Sequence, residues 1–353
     1  MRNQDLLTYG AGTELRAAPI AADRHTMTPD SLLRYLKIKV HHLIQAQDWH
    51  AIRVIGAYDR DAVISTYEKT GKLFNTERPT AEAHGRELVI KAFPGADYVH
   101  HYALIIATYL AMTGRPEHTV TYQPPSPEQC QAAAEQLDLC LDGDLVILGW
   151  GLQYLAPTGG VWTRGPGYAW QRAVVHGRRV VYLGFLHSIW GDVAGRVVTR
   201  LASLGARDVV YVGKVGALSP DIEPNTWLAT GHESLVGGAR VAWEDFFGGY
   251  AAALPGVQTG VHVTSPSILL EDRTWLTAHA DHAFVDPEIG PMGAAARHAG
   301  IRFGYLHVIS NNLARHYPSD LSNERHGDVI RRRAVLVDRI RDIVADCLAG
   351  RSL

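Results

Sequence analysis

The chain has 353 residues, 46% of them hydrophobic and 20% charged, a composition of folded globular proteins that excludes extended disorder and fibrous repeats. Lys plus Arg number 34 against 36 Asp plus Glu, a net charge of -2, so no global basic field gathers nucleic acid or an anionic membrane, and any phosphate must be held locally. No apolar run reaches the roughly 18–20 residues of a bilayer span and MRNQDLLTYG lacks the apolar core of a signal peptide, so a cytoplasmic protein is expected. Cys130, Cys140 and Cys347 show no C-x-x-C pairing, which argues against a disulfide framework and a zinc site, and no metal is expected.

Residues 1–30 are polar and read as an arm or loop. Over residues 31–46, Leu32, Leu33, Leu36, Ile38, Val40, Leu43 and Ile44 recur at near-helical spacing behind Pro29-Asp30, which predicts one helix. AIRVIGAY and ELVIKAF are strand-like, and residues 98–113 form an apolar helix ended by Gly114-Arg115-Pro116. Pro124, Pro125 and Pro127 mark a linker before a short helix over residues 127–139. The chain is therefore divided into an N-terminal region, residues 1–139, of α/β or helix-rich character and unassigned role, and a second domain, residues 140–350. In the second domain DLVILGWG, RRVVYLGF, DVVYVGK and WLATG are strand-like, a helix over residues 192–204 lies among them, and residues 328–348 form a last helix whose Arg331-Arg332-Arg333 run reads as a solvated face. That alternation is the signature of an α/β domain with a largely parallel sheet covered on both faces, ligands gathering where Gly149, Gly184 and Gly213 fall.

Two stretches carry chemistry. In RVVYLGFLHSIWGDVAGRVVTRLASLGARDVVYVGKVGALSP one strand ends at Gly184, a helix packs back, and the next strand ends in Gly213-Lys214-Val215-Gly216, a turn whose glycines aim backbone N–H groups at an anion or sugar. Downstream, Val285-Asp286-Pro287-Glu288 precedes a helix, and Ile309-Ser310-Asn311 follows after a strand, Asn311 standing 23 residues beyond Glu288. In this order and spacing the two stretches resemble the nucleoside phosphorylase and nucleosidase superfamily, over roughly residues 142–348. The resemblance implies a three-layer α/β/α domain with a mixed, largely parallel central sheet. It implies cleavage or formation of a ribosyl N-glycosidic bond through an oxocarbenium-like transition state, with a small-molecule nucleoside or nucleotide as partner. It further implies a homo-oligomer, no cofactor, and inorganic phosphate as a candidate co-substrate. By the same resemblance Glu288 grips the ribose hydroxyls, Asn311 faces the base and Lys214 serves the anion turn. Gly184, His187, Ser188, Gly213, Gly216, His232, Glu233, Asp286, Ser310 and Asn312 are the implied substrate-binding neighbours. Ser188 is also expected to cap the following helix, and His232-Glu233-Ser234 with Trp243-Glu244-Asp245 to build the base pocket.

The chain departs from the family's pattern in four respects. Asn311 replaces the Asp that protonates the departing base, and an amide orients a base without delivering a proton. Either the leaving group needs no proton or another group supplies it, His307, His316 and Asp320 being nearest in sequence. Tyr211 and Lys214 replace a phosphate-binding Arg and a Ser or Thr, and Lys214 restores positive charge. Pro287 replaces a Met under the ribose, and Gln153 stands near where nucleosidases carry a water-activating Glu. These departures point to a specialised enzyme. Two alternatives stand beside it: a non-catalytic nucleoside- or nucleotide-binding sensor or assembly protein, and a repurposed biosynthetic enzyme using Lys214 as base or imine-forming amine.

Overall fold

The computed structural model describes residues 13–69 and 72–351, so the start of the expected arm, and Thr70 and Gly71, lie outside the described residues. The first sheet is built from β1 (Leu15–Arg16), β2 (Ala51–Ile55), β3 (Thr80–His84), β4 (Glu87–Lys91) and β5 (Val120–Gln123), in the order β1-β5-β2-β4-β3. β2 runs parallel to both β4 and β5, and residues 15–16 of the arm add an antiparallel edge strand. With this sheet go α1 (Pro29–Lys37), α2 (His42–Ala46) and α3 (Ala96–Met112). α3 is apolar on nearly every side and is accordingly packed on every side, with Tyr98 to Leu110 buried apart from His100.

The single helix expected over residues 31–46 is two. Thr28 accepts from the Ser31 N–H to start α1, residues 38–40 leave the helix in a turn, and His41 Nδ1 accepts from the Leu43 N–H to start α2. Leu36, Val40 and Ile44 stay fully buried through the break, so the apolar spacing survives while the backbone turns. The turn carries Lys39, whose carbonyl accepts from the Tyr102 hydroxyl at 2.9 Å.

After α4 (Pro127–Glu135) the second sheet begins. Its elements are β6 (Leu145–Gly149), α5 (Leu152–Leu155), β7 (Thr163–Gly165), β8 (Tyr168–Val175), β9 (Arg178–Phe185), α6 (Asp192–Ser203), β10 (Asp208–Ala217), β11 (Leu228–Thr230), β12 (Glu233–Val236) and β13 (Ala239–Ala242), followed by β14 (Val257–Thr259), β15 (His262–Thr264), α7 (Arg273–Ala278), β16 (Phe284–Asp286), α8 (Ile289–Ala299), β17 (Arg302–Asn312) and α9 (Gly327–Leu348). The central strands β9, β6, β10 and β17 are parallel, and antiparallel partners at both flanks make the sheet mixed. Apolar residues of α4, α6 and α8 cover one face and those of α5 and α9 the other, giving three α/β/α layers. α4 lies in the span assigned above to the N-terminal region, yet its Cys130 and Ala134 pack in one cluster with Val197 and Leu201 of α6.

The glycine turn expected at residues 213–216 is not a turn. β10 continues through it to Ala217 beside β17, with a bulge between Val215 and Gly216. The glycines serve close packing instead: a Cβ on Gly213 would stand 2.7 Å from His307 Nε2. Gly184 likewise lies inside β9, where a Cβ would come 2.3 Å from the Phe74 ring, so a segment attached to the first sheet covers it.

The two units meet through the N-termini of α3 and α6. Asp97 accepts from the Asp192 N–H at 3.0 Å, while Asp192 accepts from the N–H groups of Ala96 and Asp97 at 3.4 and 3.3 Å. Each helix thus has its unsatisfied first-turn donors capped by the other's carboxylate. Among the described residues no helix is long and apolar enough to cross a membrane. Burial, and then the charge of Asp192, push the Asp97 carboxyl up to about 7 from its ordinary 3.8. The folded state therefore keeps a proton that the unfolded chain releases, and stability is lost as pH rises from about 4 through 7. Asp97→Asn is expected to leave the melting temperature nearly unchanged at pH 5 and to raise it by about 2–4 °C at pH 8, read by thermal unfolding at the two pH values.

Candidate functional site

The end of β16 and the start of α8 carry Asp286 and Glu288, both buried. Asp286 Oδ1 accepts from the backbone N–H groups of Glu288 and Ile289, at 3.0 and 2.9 Å, and so caps α8. On neighbouring β15, His262 Nε2 lies 3.0 Å from the same oxygen and accepts from the Asp286 N–H at 2.8 Å, while its Nδ1 meets Ser234 Oγ at 2.9 Å. Asp286 Oδ2 has no hydrogen-bond partner, and His307 Nε2 stands 3.6 Å away. His307 is wholly buried with both ring nitrogens unpartnered, edge-on to Tyr211 and Tyr305 at centroid distances of 4.7 and 5.3 Å, and the Tyr305 hydroxyl is unpartnered too.

Burial opposes ionisation of both carboxyls, and the two are shifted in opposite directions. His262 and His307 outweigh burial at Asp286 and hold it below the usual carboxylate range. Burial, reinforced by the charge of Asp286, holds Glu288 well above that range. Of the two, Asp286 is the one favoured to carry charge and Glu288 the one that resists ionisation.

Lys214 projects from the face of β10 opposite Tyr211 and Gly213, as strand alternation requires. Its ammonium pairs with Glu324, whose Oε1 also accepts from Arg333 Nη1 of α9 at 2.9 Å. Arg333 Nε donates to Asn225 Oδ1 at 2.6 Å. Burial would raise the Glu324 carboxyl, but Lys214, Arg333 and Lys39 together hold it well below its ordinary value. The N-terminal unit adds Lys39, Lys69, exposed Lys72 and Arg78 to this group, each felt electrostatically at Lys214 or at its neighbours. Burial first, then Arg78, lowers Lys39 to about 7. The Lys39 ammonium rests 4.9 Å over the Tyr35 ring.

A cleft of about 600 Å³, partly open to solvent, lies between the arm and the loops beyond β15 and β17, lined among others by His25, Ser31, Glu271, Asn311, His316 and Tyr317. The arm is fastened there: His25 Nε2 meets the Ile268 carbonyl and the Thr26 hydroxyl donates to the Glu271 carbonyl, both at 2.8 Å. Glu271 is 4% exposed, and burial, with the charge of Asp286 adding to it, pushes its carboxyl up to about 8 against a hydrogen bond from Ser265. Ser310 Oγ donates to Asn311 Oδ1 at 2.9 Å at the edge of this cleft.

Asp286 and Glu288 lie at the end of β16 and the start of α8, and Ser310 and Asn311 near the end of β17, the two strands flanking β10 at Gly216. Other expected site residues go elsewhere. His187 is locked in an aromatic group with Tyr58, Phe93 and Phe185, where burial lowers it to about 4. Ser188 donates to Asn75 Oδ1, and α6 is preceded by Gly191, so Ser188 caps nothing. Asn312 spends its amide on backbone, donating to the carbonyls of Ser219 and Ile222 and accepting from the N–H groups of Ala314 and Arg315. Glu233 pairs with Arg240 across the β12–β13 hairpin, and the His232 carbonyl accepts from the Trp243 N–H. Trp243 is core, packed on Phe303 and against Gly293, and Asp245 accepts from the N–H groups of Phe247 and Gly249, so this stretch builds no base pocket. In the arginine run Arg331 and Arg332 are exposed but Arg333 is 6% exposed. Its position four residues after Val329 and four before Val337, both buried, was the signal for an inward face. Arg78, Lys39, Lys69, Glu271 and Glu324 were not singled out, and nothing in their local sequence marks them.

No family model matches the chain. A curated relative, the oxidoreductase Cns1 of Cordyceps militaris, is 28% identical over 257 residues, covering 64% of this chain and 32% of that protein, so the match spans about a third of the relative's length. The chain is similar in structure, at low identity, to nucleosidases and phosphorylases. Among them, uridine phosphorylase from Vibrio fischeri is 14% identical, with 62% of this chain and 97% of that one covered and a TM-score of 0.47. The 5′-methylthioadenosine/S-adenosylhomocysteine nucleosidase of Campylobacter jejuni is 12% identical, with 59% and 99% covered and a TM-score of 0.45.

The four backbone hydrogen bonds of Asn312 make it a fastener of the loop after β17. Asn312→Ala is expected to cost about 1 kcal/mol of stability in urea denaturation, because it removes four hydrogen bonds from a half-buried to exposed loop whose freed groups can turn to water.

Proposed function

We propose that the protein cleaves the N-glycosidic bond of a nucleoside or nucleotide, with the ribose at Glu288 and the base in the cleft at Asn311 and Glu271. The observation that carries this reading is the buried Asp286–Glu288 pair at the start of α8, with Asp286 Oδ1 held by two backbone N–H groups and His262 beside it, an arrangement suited to a sugar that becomes cationic. Glu288, protonated, donates one hydrogen bond to a ribose hydroxyl and accepts another. The fixed charge of Asp286 favours the oxocarbenium-like state, in which the C1′–N bond breaks and its electron pair leaves with the base. A proton must then reach the base, and Asn311 has none to give.

Glu271 lines the same cleft and stays protonated up to about pH 8, so it is assigned as the acid, with Asn311 orienting the base. Water or inorganic phosphate then attacks C1′. This chemistry draws on no organic cofactor. The Asn311 amide also supports a second reading, a protein that binds such a ligand without turning it over.

The test is base release from nucleosides and nucleotides, followed by liquid chromatography with and without inorganic phosphate. Phosphate-dependent release identifies phosphorolysis and phosphate-independent release hydrolysis, while binding without release supports the second reading. Glu288→Ala is expected to lower kcat/KM by about 100-fold, through loss of both ribose hydrogen bonds. Because Glu271 acts only when protonated, kcat is expected to fall as pH rises through about 8. Glu271→Gln should lower kcat by about 100-fold or more and abolish that alkaline limb, and an unchanged pH profile would remove Glu271 from the mechanism.

A further inference from the structure

The cleft that holds Glu271 and Asn311 is shared between the two units. Beside these second-domain residues, one wall of it consists of His25, Thr26, Met27, Thr28 and Ser31, which lie outside the stretch that resembles the family. Four hydrogen bonds fasten this wall across the junction. His25 Nδ1 accepts from the Met27 N–H at 3.0 Å, which leaves the ring proton on Nε2, and Nε2 donates it to the Ile268 carbonyl at 2.8 Å. The hydroxyl and the N–H of Thr26 both donate to the Glu271 carbonyl, at 2.8 and 3.4 Å, and the Arg273 N–H donates to the Arg24 carbonyl at 3.0 Å. His25 and Thr26 have thus spent their side-chain polar atoms on holding the wall. Thr28 and Ser31 have not. They stand one turn apart on a single face of α1 and line the cleft, whereas Pro29 and Asp30 between them do not. Thr28 Oγ1 accepts from the Ser31 N–H at 3.2 Å and Ser31 Oγ accepts from Arg34 Nη2 at 2.9 Å, but among the described residues neither hydroxyl donates its own proton. Thr28 is exposed and gives its proton to water, while Ser31 is 7% exposed.

We propose that the N-terminal unit forms part of the ligand site, with Ser31 as a specificity-determining residue whose hydroxyl donates a hydrogen bond to an acceptor atom of the nucleobase. Carbonyl oxygens and unprotonated ring nitrogens are such acceptors, and their positions differ from base to base, so one fixed donor discriminates among them. A nearly buried hydroxyl left without an acceptor costs free energy, which disfavours a base that presents none at that point. The donor is fixed because α1 starts there and because the arm leading into it is bonded to the loop that carries Glu271. The base's place in this cleft rests on the glycosidic reading, whereas the wall itself is read from the cleft and the bonds that hold it.

The test joins two measurements on the full chain, with adenosine, guanosine, uridine and their 5′-monophosphates as probes. Amide hydrogen exchange of the parent is followed first, with and without each compound. A compound that binds is expected to slow exchange at residues 24–32 at least about tenfold when present well above its dissociation constant, because the wall then opens only after the ligand has left. Calorimetric affinities of the same compounds are then compared in the parent, Ser31→Ala and Arg34→Met. Ser31→Ala is expected to weaken the tightest compound by about 5- to 10-fold and to narrow the spread of affinities across the panel. Arg34→Met removes the bond from Arg34 to Ser31 but keeps the hydroxyl, and is expected to bind as the parent does. An equal loss in the two variants would show that Ser31 merely supports α1, and no loss in Ser31→Ala would likewise remove it from the site. Unslowed exchange at residues 24–32 with every compound would overturn the wall, and that measurement needs no variant. Should Ser31→Ala fail to fold, Ser31→Cys, with a weaker donor of similar shape, takes its part with a loss in the same direction. Base release without slowed exchange at residues 24–32 would sink the wall and leave the glycosidic reading standing. Slowed exchange and weaker binding by Ser31→Ala, without base release, would do the reverse.

Discussion

Glu324 holds Lys214 of β10 and Arg333 of α9 on one carboxylate and so ties the last helix to the central sheet. Its position ahead of α9 fixes the helix that covers one face of the second sheet, since Arg333 reaches from α9 to Glu324 and on to Asn225. Asn225 sits at positive φ, its N–H bonded to the Ile309 carbonyl at 2.7 Å, so the same chain of contacts ends on β17 beside Ser310 and Asn311. One carboxylate thus couples Lys214, the last helix and the strand that carries Asn311.

The acidic half of the site is built on a different principle. Asp286 is shifted down because two imidazoles stand against it and outweigh burial, while burial first, and then the charge of Asp286, shifts Glu288 up. Two carboxyls two residues apart thus diverge because their surroundings differ. Glu271, pushed the same way as Glu288 by burial and by Asp286, extends this logic to the cleft that the arm closes.

What the sequence revealed follows from how local each signal was. The strands of the second sheet are continuous apolar runs between glycines and acidic residues, and they could be read directly. Asp286 and Glu288 were legible because they are near neighbours in a compact motif. The glycines at residues 213 and 216 were misread as a turn because glycine marks both positive φ and close packing, and here His307 and Leu313 occupy the space. The break at Lys39 was hidden because Leu36, Val40 and Ile44 remain in phase across it. The cations of the N-terminal unit were beyond reach altogether: Lys39, Lys69 and Arg78 lie in turns and loops, where no periodicity or motif marks a residue as half-buried or buried.

The reciprocal caps of Asp97 and Asp192 have a consequence for how such a chain can be divided. Two helices set head to head would repel through their positive ends, and each is relieved only by an acid belonging to the other. A gene fragment encoding either half alone would therefore expose a bare helix start where its counterpart had been. What the junction requires at each of the two positions is a hydrogen-bond acceptor supplied by the other half, so parting the halves strands first-turn N–H groups on both sides.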